Sequence, residues 1–421
     1  MNVIGVVILT ALLLDLALNA VADYLNLKAL NLDLPEEFKD VYDKERYHRS
    51  QEYLKVNTRF GWVTASVNTF MLLIFWFGKG FQLLDVWVRS WGLSPVFTGV
   101  AYIGVLSLLV AAVSMPFSAY STFVIEERFG FNQTTWGTFI KDKIKALGLS
   151  LALGAPLLAG VLAFFEFAGS AAWLYCWGAV TLYMLVVQFI APAWIMPLFN
   201  RFNILEEGEL KEAILTYARS IDFSLDNIFI MDGSRRSRKS NAFFTGFGRF
   251  KRIVLFDTMV EQHTTAELVA VLAHEMGHFK KKHILKSLLI GVGQSGVMFF
   301  LLSIVISYSA LFEAFHIEMP SVYTGLVFFA LLYSPVDVIT GLILRTLSRK
   351  NEYQADRFAV ETIQDPQAMA SALKKLSVHN LTNLRPHPFY VFLNYSHPPV
   401  LARIRAIAQE SVRRLNPALE A

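Results

Sequence analysis

Residues 264–283 read Thr264-Thr265-Ala266-Glu267-Leu268-Val269-Ala270-Val271-Leu272-Ala273-His274-Glu275-Met276-Gly277-His278-Phe279-Lys280-Lys281-Lys282-His283. Thr264 and Glu267 have the spacing of a capping box, in which each side chain satisfies an orphan backbone donor. The apolar residues Leu268, Ala270, Val271, Leu272 and Met276 follow without proline. The spacing predicts a helix that carries His274, Glu275 and His278 and continues through His283 into the apolar stretch 284–311. A bilayer-spanning helix needs about 20 mostly apolar residues. A polar, histidine-bearing helix that runs into such a stretch predicts a membrane protein with a folded aqueous part.

Working outward, seven stretches are long enough to span: 3–21, 61–81, 97–117, 147–167, 171–190, 284–311 and 322–344. The first is read as a retained span, because only Met1 and Asn2 precede it and no small-residue cleavage site follows. Of the 421 residues, 17% are charged, against about 25% in ordinary soluble domains. One soluble core cannot hide that deficit, and disorder needs the opposite composition. The net charge of +4 is not clustered as a nucleic-acid footprint would be. The lone Cys176 excludes a disulfide within the chain and argues against cysteine-ligated metal.

Basic residues alternate between loops. Seven Lys and Arg, from Lys28 to Arg59, follow the first span, but only Lys79 and Arg89 follow the second. Arg128, Lys141, Lys143 and Lys145 follow the third, and none follow the fourth. By the positive-inside rule the N-terminus lies outside and the C-terminus in the cytoplasm. The expected organisation is five spans in 1–195, a cytoplasmic region in 196–283, two spans in 284–344 and a second cytoplasmic region in 345–421. Asp15, Asp23 and Asp337 lie within or beside spans. Asp23 suits an interface, whereas Asp337 is a candidate for a polar cavity. In the polar regions, 205–221 has helical spacing. The β-branched runs 228–231 and 252–256 are separated by turn residues reaching Gly246 and Gly248, which suggests a small sheet or a hairpin. The basic run 235–239 reads as a solvated loop or a contact to anionic lipid.

Two His at positions i and i+4 of a helix lie one turn apart on one face, so His274 and His278 can converge on one metal ion. Glu275, directly after the first, can take a proton from the attacking water and return it to a leaving amine. His-Glu-x-x-His is the sequence signature of zinc metalloproteases. The best third ligand is Glu352, 74 residues beyond His278. The spacer holds two spans, and two crossings return the chain to the side it left. Asp356, one turn further on, is placed to accept the second N–H of a ligating His, best His274. Of the remaining His, His48 and His316 read as surface residues, and His379 and His387 show no partner pattern. His263 and His283 flank the metal helix, and a five-residue step turns His283 off the ligand face. His397 lies in a Pro-rich turn before Arg403 and Arg405. A His or Arg near the metal can hydrogen-bond an oxyanion, though spacing alone leaves this open.

Taken in order, the motifs are Phe123-Val124-Ile125-Glu126-Glu127-Arg128 with Gly130-Phe131-Asn132, Ser240-Asn241-Ala242-Phe243, His274-Glu275-Met276-Gly277-His278, Asn351-Glu352-Tyr353-Gln354-Ala355-Asp356, and Ser396-His397-Pro398-Pro399 with Arg403. With the seven spans, this set resembles the type I CAAX prenyl endopeptidases, multi-spanning zinc metalloproteases of the gluzincin type. The resemblance covers nearly the whole chain. It implies a mainly α membrane protein, with seven transmembrane helices around a water-filled chamber and a cytoplasmic metalloprotease domain containing a small β-sheet. It implies one zinc ion per chain on His274, His278 and Glu352, with Glu275 as general base and acid. It also implies an edge strand at Asn241, Ala242 and Phe243 for the substrate backbone, and substrate or oxyanion contacts from His397 and Arg403.

The expected partners are a peptide or protein substrate, possibly prenylated, and the lipid bilayer, with no nucleic acid. The short turn between the last two spans, with no retention signal after Ala421, leans toward a bacterial inner membrane; the endoplasmic reticulum is expected of a eukaryotic member. Few bacterial proteins are prenylated, so a quality-control protease without a prenyl requirement is a second reading. A transporter or channel with structural zinc is a third, though a closed site would need four protein ligands.

Overall fold

The computed structural model describes residues 1–225, 227–245 and 252–415. The first half is helical: α1 (Val3–Lys28), α2 (Lys44–Phe77), α3 (Gly80–Arg89), α4 (Pro95–Tyr120), α5 (Trp136–Leu149), α6 (Ala155–Phe167) and α7 (Ala172–Ile190). Then come β1 (Phe202–Ile204), α8 (Glu209–Ser220), β2 (Asn227–Met231), β3 (Ala242–Thr245) and β4 (Arg252–Phe256). The remainder is α9 (Asp257–Gln262), α10 (Thr265–Lys280), α11 (His283–Val305), α12 (Ser309–Glu313), α13 (Val322–Thr362), α14 (Pro366–His379), α15 (Pro388–Asn394) and α16 (Val400–Leu415).

Among the described residues, seven helical segments are long and apolar enough to cross a membrane, at the seven places expected. Their bounds differ from the apolar stretches. The second stops at Phe77, where Gly78 caps it and Lys79 turns left-handed (φ 59°). Phe81 therefore belongs to α3, whose apolar face buries Phe81, Leu84 and Val88. The sixth stops at Val305 rather than 311. The seventh does not end at 344, for α13 runs unbroken for 41 residues. At 1.5 Å per residue that is about 60 Å, twice the hydrocarbon thickness of about 30 Å. Hydropathy marks the immersed half and is blind to the half that stands in water.

The sheet has the order β1-β2-β4-β3. The runs around 228–231 and 252–256 do form strands, but β2 and β4 pair in parallel, which rules out a hairpin between them. A parallel pair needs a crossover, and the chain between them supplies β3, antiparallel to β4 at the sheet edge. Gly246 and Gly248 lie outside the described residues. Residues 205–221 are helical only from Glu209; Leu205 follows strand β1. One apolar core joins the sheet to α8, α10, α14 and α16, and also takes in Phe38, Tyr42 and Tyr47 from the first basic loop.

In the basic run 235–239, Arg235 and Arg238 are exposed as a solvated loop would have them, while Arg236 and Lys239 fasten it. Arg236 donates to both Asp142 oxygens (2.8 and 3.0 Å) and to Asn200 Oδ1 (2.7 Å). Lys239 meets Glu126 (2.8 Å) and the Tyr53 hydroxyl (2.7 Å). Arg238 N–H donates to the Phe131 carbonyl, so this loop is laid along the segment that follows α4. Asp23 accepts from Trp62 Nε1 (2.8 Å). Asp337 shares a cavity of about 230 Å³ with Asp15, Asn19 and Arg345.

Candidate active site

Helix α10 begins at the expected box: Glu267 accepts from Thr264 N–H (2.9 Å) and Thr264 Oγ1 from Glu267 N–H (3.3 Å). Lys375 and Ser371 also hold the Glu267 carboxylate, fixing the start of the helix against α14. Its far end packs on the aqueous half of α13. Gly277, between the two His, makes the approach possible. A Cβ there would stand 3.3 Å from the Ala355 Cα and carbonyl oxygen and 3.1 Å from the Phe358 ring. Helix backbones brought this close put Glu352 opposite the His pair.

The ligand atoms of His274, His278 and Glu352 all lie within 4.8 Å of one another. The two Nε2 atoms are 3.1 Å apart; Glu352 Oε2 is 3.5 Å from His274 Nε2, and Oε1 is 3.2 Å from His278 Nε2. Tetrahedral bonds of about 2.0–2.1 Å separate donor atoms by about 3.3 Å. Glu352 Oε2 is buried and makes no hydrogen bond among the described residues. Both Nδ1 atoms are engaged elsewhere, leaving two imidazole edges aimed at each other. Donor types and spacing fit a divalent metal ion. Burial would lower the His274 imidazole, but Asp356 and Glu352 outweigh it and raise it to about 9. The site is electrostatically built for a cation.

Around the three donors, Asp356 Oδ1 lies 2.8 Å from His274 Nδ1, the contact expected from spacing. Arg403 is buried. It donates to both Asp356 oxygens (2.8 and 2.6 Å), and its Nη1 lies 3.3 Å from Glu352 Oε2. Its guanidinium is thus turned toward the ligand carboxylates rather than open space. His397 comes from the other side, with Nε2 3.4 Å from Glu352 Oε1 and 64% of its side chain exposed. Burial raises the Glu275 carboxyl above its ordinary value against the pull of His274 and His278.

His283 was missed by spacing. The helix of the His pair does not continue through it: α10 ends at Lys280, Lys282 is left-handed (φ 58°), and α11 starts afresh at His283. On one continuous helix a five-residue step turns a side chain by about 140°. The break folds it back, so that His283 Nδ1 lies 3.1 Å from His278 Nδ1 and its Nε2 2.9 Å from Gln354 Oε1. No sequence pattern marks that turn, since lysine is an unusual residue for it. A cavity of about 440 Å³ opens beside His278 and His283, lined by Ile284, Leu288, Ser348 and Asn351.

The strand Ala242–Thr245 is at the sheet edge and packs near α10. Asn241 lies just before it; its carbonyl accepts from Phe256 N–H (3.1 Å), and its side chain accepts from Ala242 N–H (2.9 Å). Pairing to β4 alternates along an antiparallel strand. With Asn241 and Phe243 turned toward β4, the backbone carbonyl of Ala242 and the peptide groups of Phe244 face the free edge.

Comparison with known proteins agrees with this architecture. A family model described as CAAX prenyl protease N-terminal, five membrane helices, matches residues 23–201. The model of peptidase family M48 matches 205–411. The chain is 34% identical to CAAX prenyl protease 1 of Saccharomyces cerevisiae, covering 91% of this chain and 90% of that one. It is 33% identical to the CAAX prenyl protease 1 homolog of Homo sapiens, covering 89% and 88%. The crystal structure of S. mikatae Ste24p superposes with a TM-score of 0.91 at 31% identity, over 97% of this chain and 99% of that one. By its two matched regions, its relatives and its fold, the chain belongs to the CAAX prenyl endopeptidases of family M48, the membrane metalloproteases.

Proposed function

We propose that this protein is an endopeptidase with one zinc ion per chain, cutting peptide bonds near the C-terminus of prenylated or hydrophobic substrates. The observation that carries this reading is the convergence of His274, His278 and Glu352 within 4.8 Å, on the helix that also presents Glu275. When bound, zinc supplies Lewis-acid polarisation and makes water a nucleophile at neutral pH. Glu275 takes the proton from the attacking water and hands it to the leaving amine, a double duty that suits a carboxyl with a raised pKa. His397, exposed beside Glu352, hydrogen-bonds the developing oxyanion. Asp356 and Arg403 hold His274 and Glu352 in place. The backbone at Asn241, Ala242 and Phe243 leads into the edge strand that pairs with an extended substrate, which gives affinity without demanding one sequence.

The names of the relatives support a prenylated substrate. Loop charge supports an N-terminus outside and a site facing the cytoplasm, in a bacterial inner membrane or an endoplasmic-reticulum membrane. The spans then surround a water-filled chamber, and the polar cavity at Asp15 and Asp337 is part of its wall. The test is a cleavage assay on a farnesylated peptide and its unprenylated twin. Glu275→Gln should keep its metal and lose at least about 100-fold in rate. Cleavage by that variant at the parent rate would overturn the mechanism. Equal cleavage of both peptides would move the substrate class to hydrophobic peptides at large, and metal binding without any cleavage would favour a structural ion.

A further inference from the structure

We propose that His283 and Gln354 are positioning residues that set the tautomer and aim of the ligand His278. The inference rests on the metal reading above. A neutral imidazole that gives Nε2 to a metal carries its proton on Nδ1, so His278 Nδ1 is a donor. The atom facing it is His283 Nδ1, 3.1 Å away, which must therefore be the acceptor. The proton of His283 is then on Nε2, and it points at Gln354 Oε1, 2.9 Å away. Each link fixes the next: His278 Nδ1–H to His283 Nδ1, then His283 Nε2–H to the Gln354 amide oxygen. His283 is 3% exposed, and both of its ring nitrogens have a partner.

The two metal-facing histidines are thereby oriented by different means. His274 leans on a carboxylate, Asp356, itself neutralised by Arg403. His278 leans on a neutral ring. Glu275, Glu352 and Asp356 already place three carboxyls around the His pair, and a fourth would add repulsion where a neutral acceptor adds none. The left-handed residue Lys282 supplies the geometry, since it folds the start of α11 back against the helix that precedes it. One chain of hydrogen bonds so ties α10 to the first residue of a membrane span and to the helix that bears Glu352. Carboxylate or carbonyl partners of ligating histidines hold ring orientation and metal affinity, and their loss costs 10–100-fold.

The test is zinc affinity, measured on the purified full-length chain in detergent after metal stripping, by competition with a zinc chelator. Thermal unfolding midpoints are read alongside. His283→Phe keeps the bulk and removes the acceptor; affinity should fall about 10–100-fold. His283→Asn places an amide oxygen where Nδ1 stood and should restore most of the loss. Gln354→Leu should fall between the two. Unchanged affinity in His283→Phe overturns the proposal. So does an equal loss in His283→Asn and His283→Phe, since that would make packing the cause. His278→Ala separates this from the underlying reading: if that variant binds zinc as tightly as the parent, the metal site itself is wrong, whatever His283 does.

Discussion

The imidazole of His274 sits between two carboxylates, Asp356 on its Nδ1 and Glu352 near its Nε2. Those charges outweigh burial and lift it to about 9 in the metal-free chain. The sign has a consequence for metal uptake. Below that pH the ring carries a proton that an incoming cation must displace, so low pH opposes binding. Apparent zinc affinity should rise about tenfold per pH unit between pH 6.5 and 8.5 and level off above pH 9. Chelator-competition titrations at several pH values check this, and a flat profile would refute the assignment. His274, Glu275 and His278 were legible in sequence because local helix geometry alone brings them together. Asp356 was legible for the same reason, one turn from Glu352. The orientation of Arg403 was not. Spacing put it near the site but could not show that its guanidinium turns inward to two carboxylates.

Two helices meet at Gly277, and the quality of the site depends on how closely they do. The added Cβ of an alanine would press on the Ala355 backbone, which cannot rotate away as a side chain can. Gly277→Val should therefore push α10 from α13 and separate Glu352 from the His pair. We expect at least about tenfold weaker zinc binding and a destabilisation of about 1–3 kcal/mol, the range for overpacking. Zinc titration and thermal unfolding read the two effects; parent values for both would show that the helices have room. A second junction is the buckle of Lys239 with Glu126 and Tyr53. It stands just ahead of β3 and ties the approach to the edge strand to the end of the third span. Lys239→Met should raise KM severalfold with little change in kcat, because it frees the strand and leaves the metal donors alone. Steady-state kinetics on the farnesylated peptide decide this, and a fall in kcat at constant KM would contradict it. The motif Glu126–Asn132 was visible in sequence without a task. Its partners lie about a hundred residues on, and only pairing in space identifies it as a docking strip.

The site as a whole depends on an even number of crossings. Helices α11 and α13 take the chain away and back, and α13 continues for about 60 Å as one rod from the span to Glu352. That topology makes a labelling experiment decisive. Cys176 is the sole cysteine and is buried, so the parent chain is a quiet background. Ser90→Cys and Glu318→Cys should react with a membrane-impermeant maleimide from outside, and Glu361→Cys only after the cytoplasmic face is opened. The reverse pattern would invert the orientation read from loop charge.

The sequence by itself marked the seven spans, the alternation of basic loops and the helix that carries His274, Glu275 and His278. Each of these rests on local hydropathy, charge or helical period, quantities that neighbours in sequence already fix. Tertiary structure alone decided the parallel pairing of β2 with β4, the docking of the basic loop, the inward turn of Arg403 and the return of His283 to His278. Those depend on a left-handed residue or on partners far along the chain, and no local period encodes where a backbone will turn back on itself.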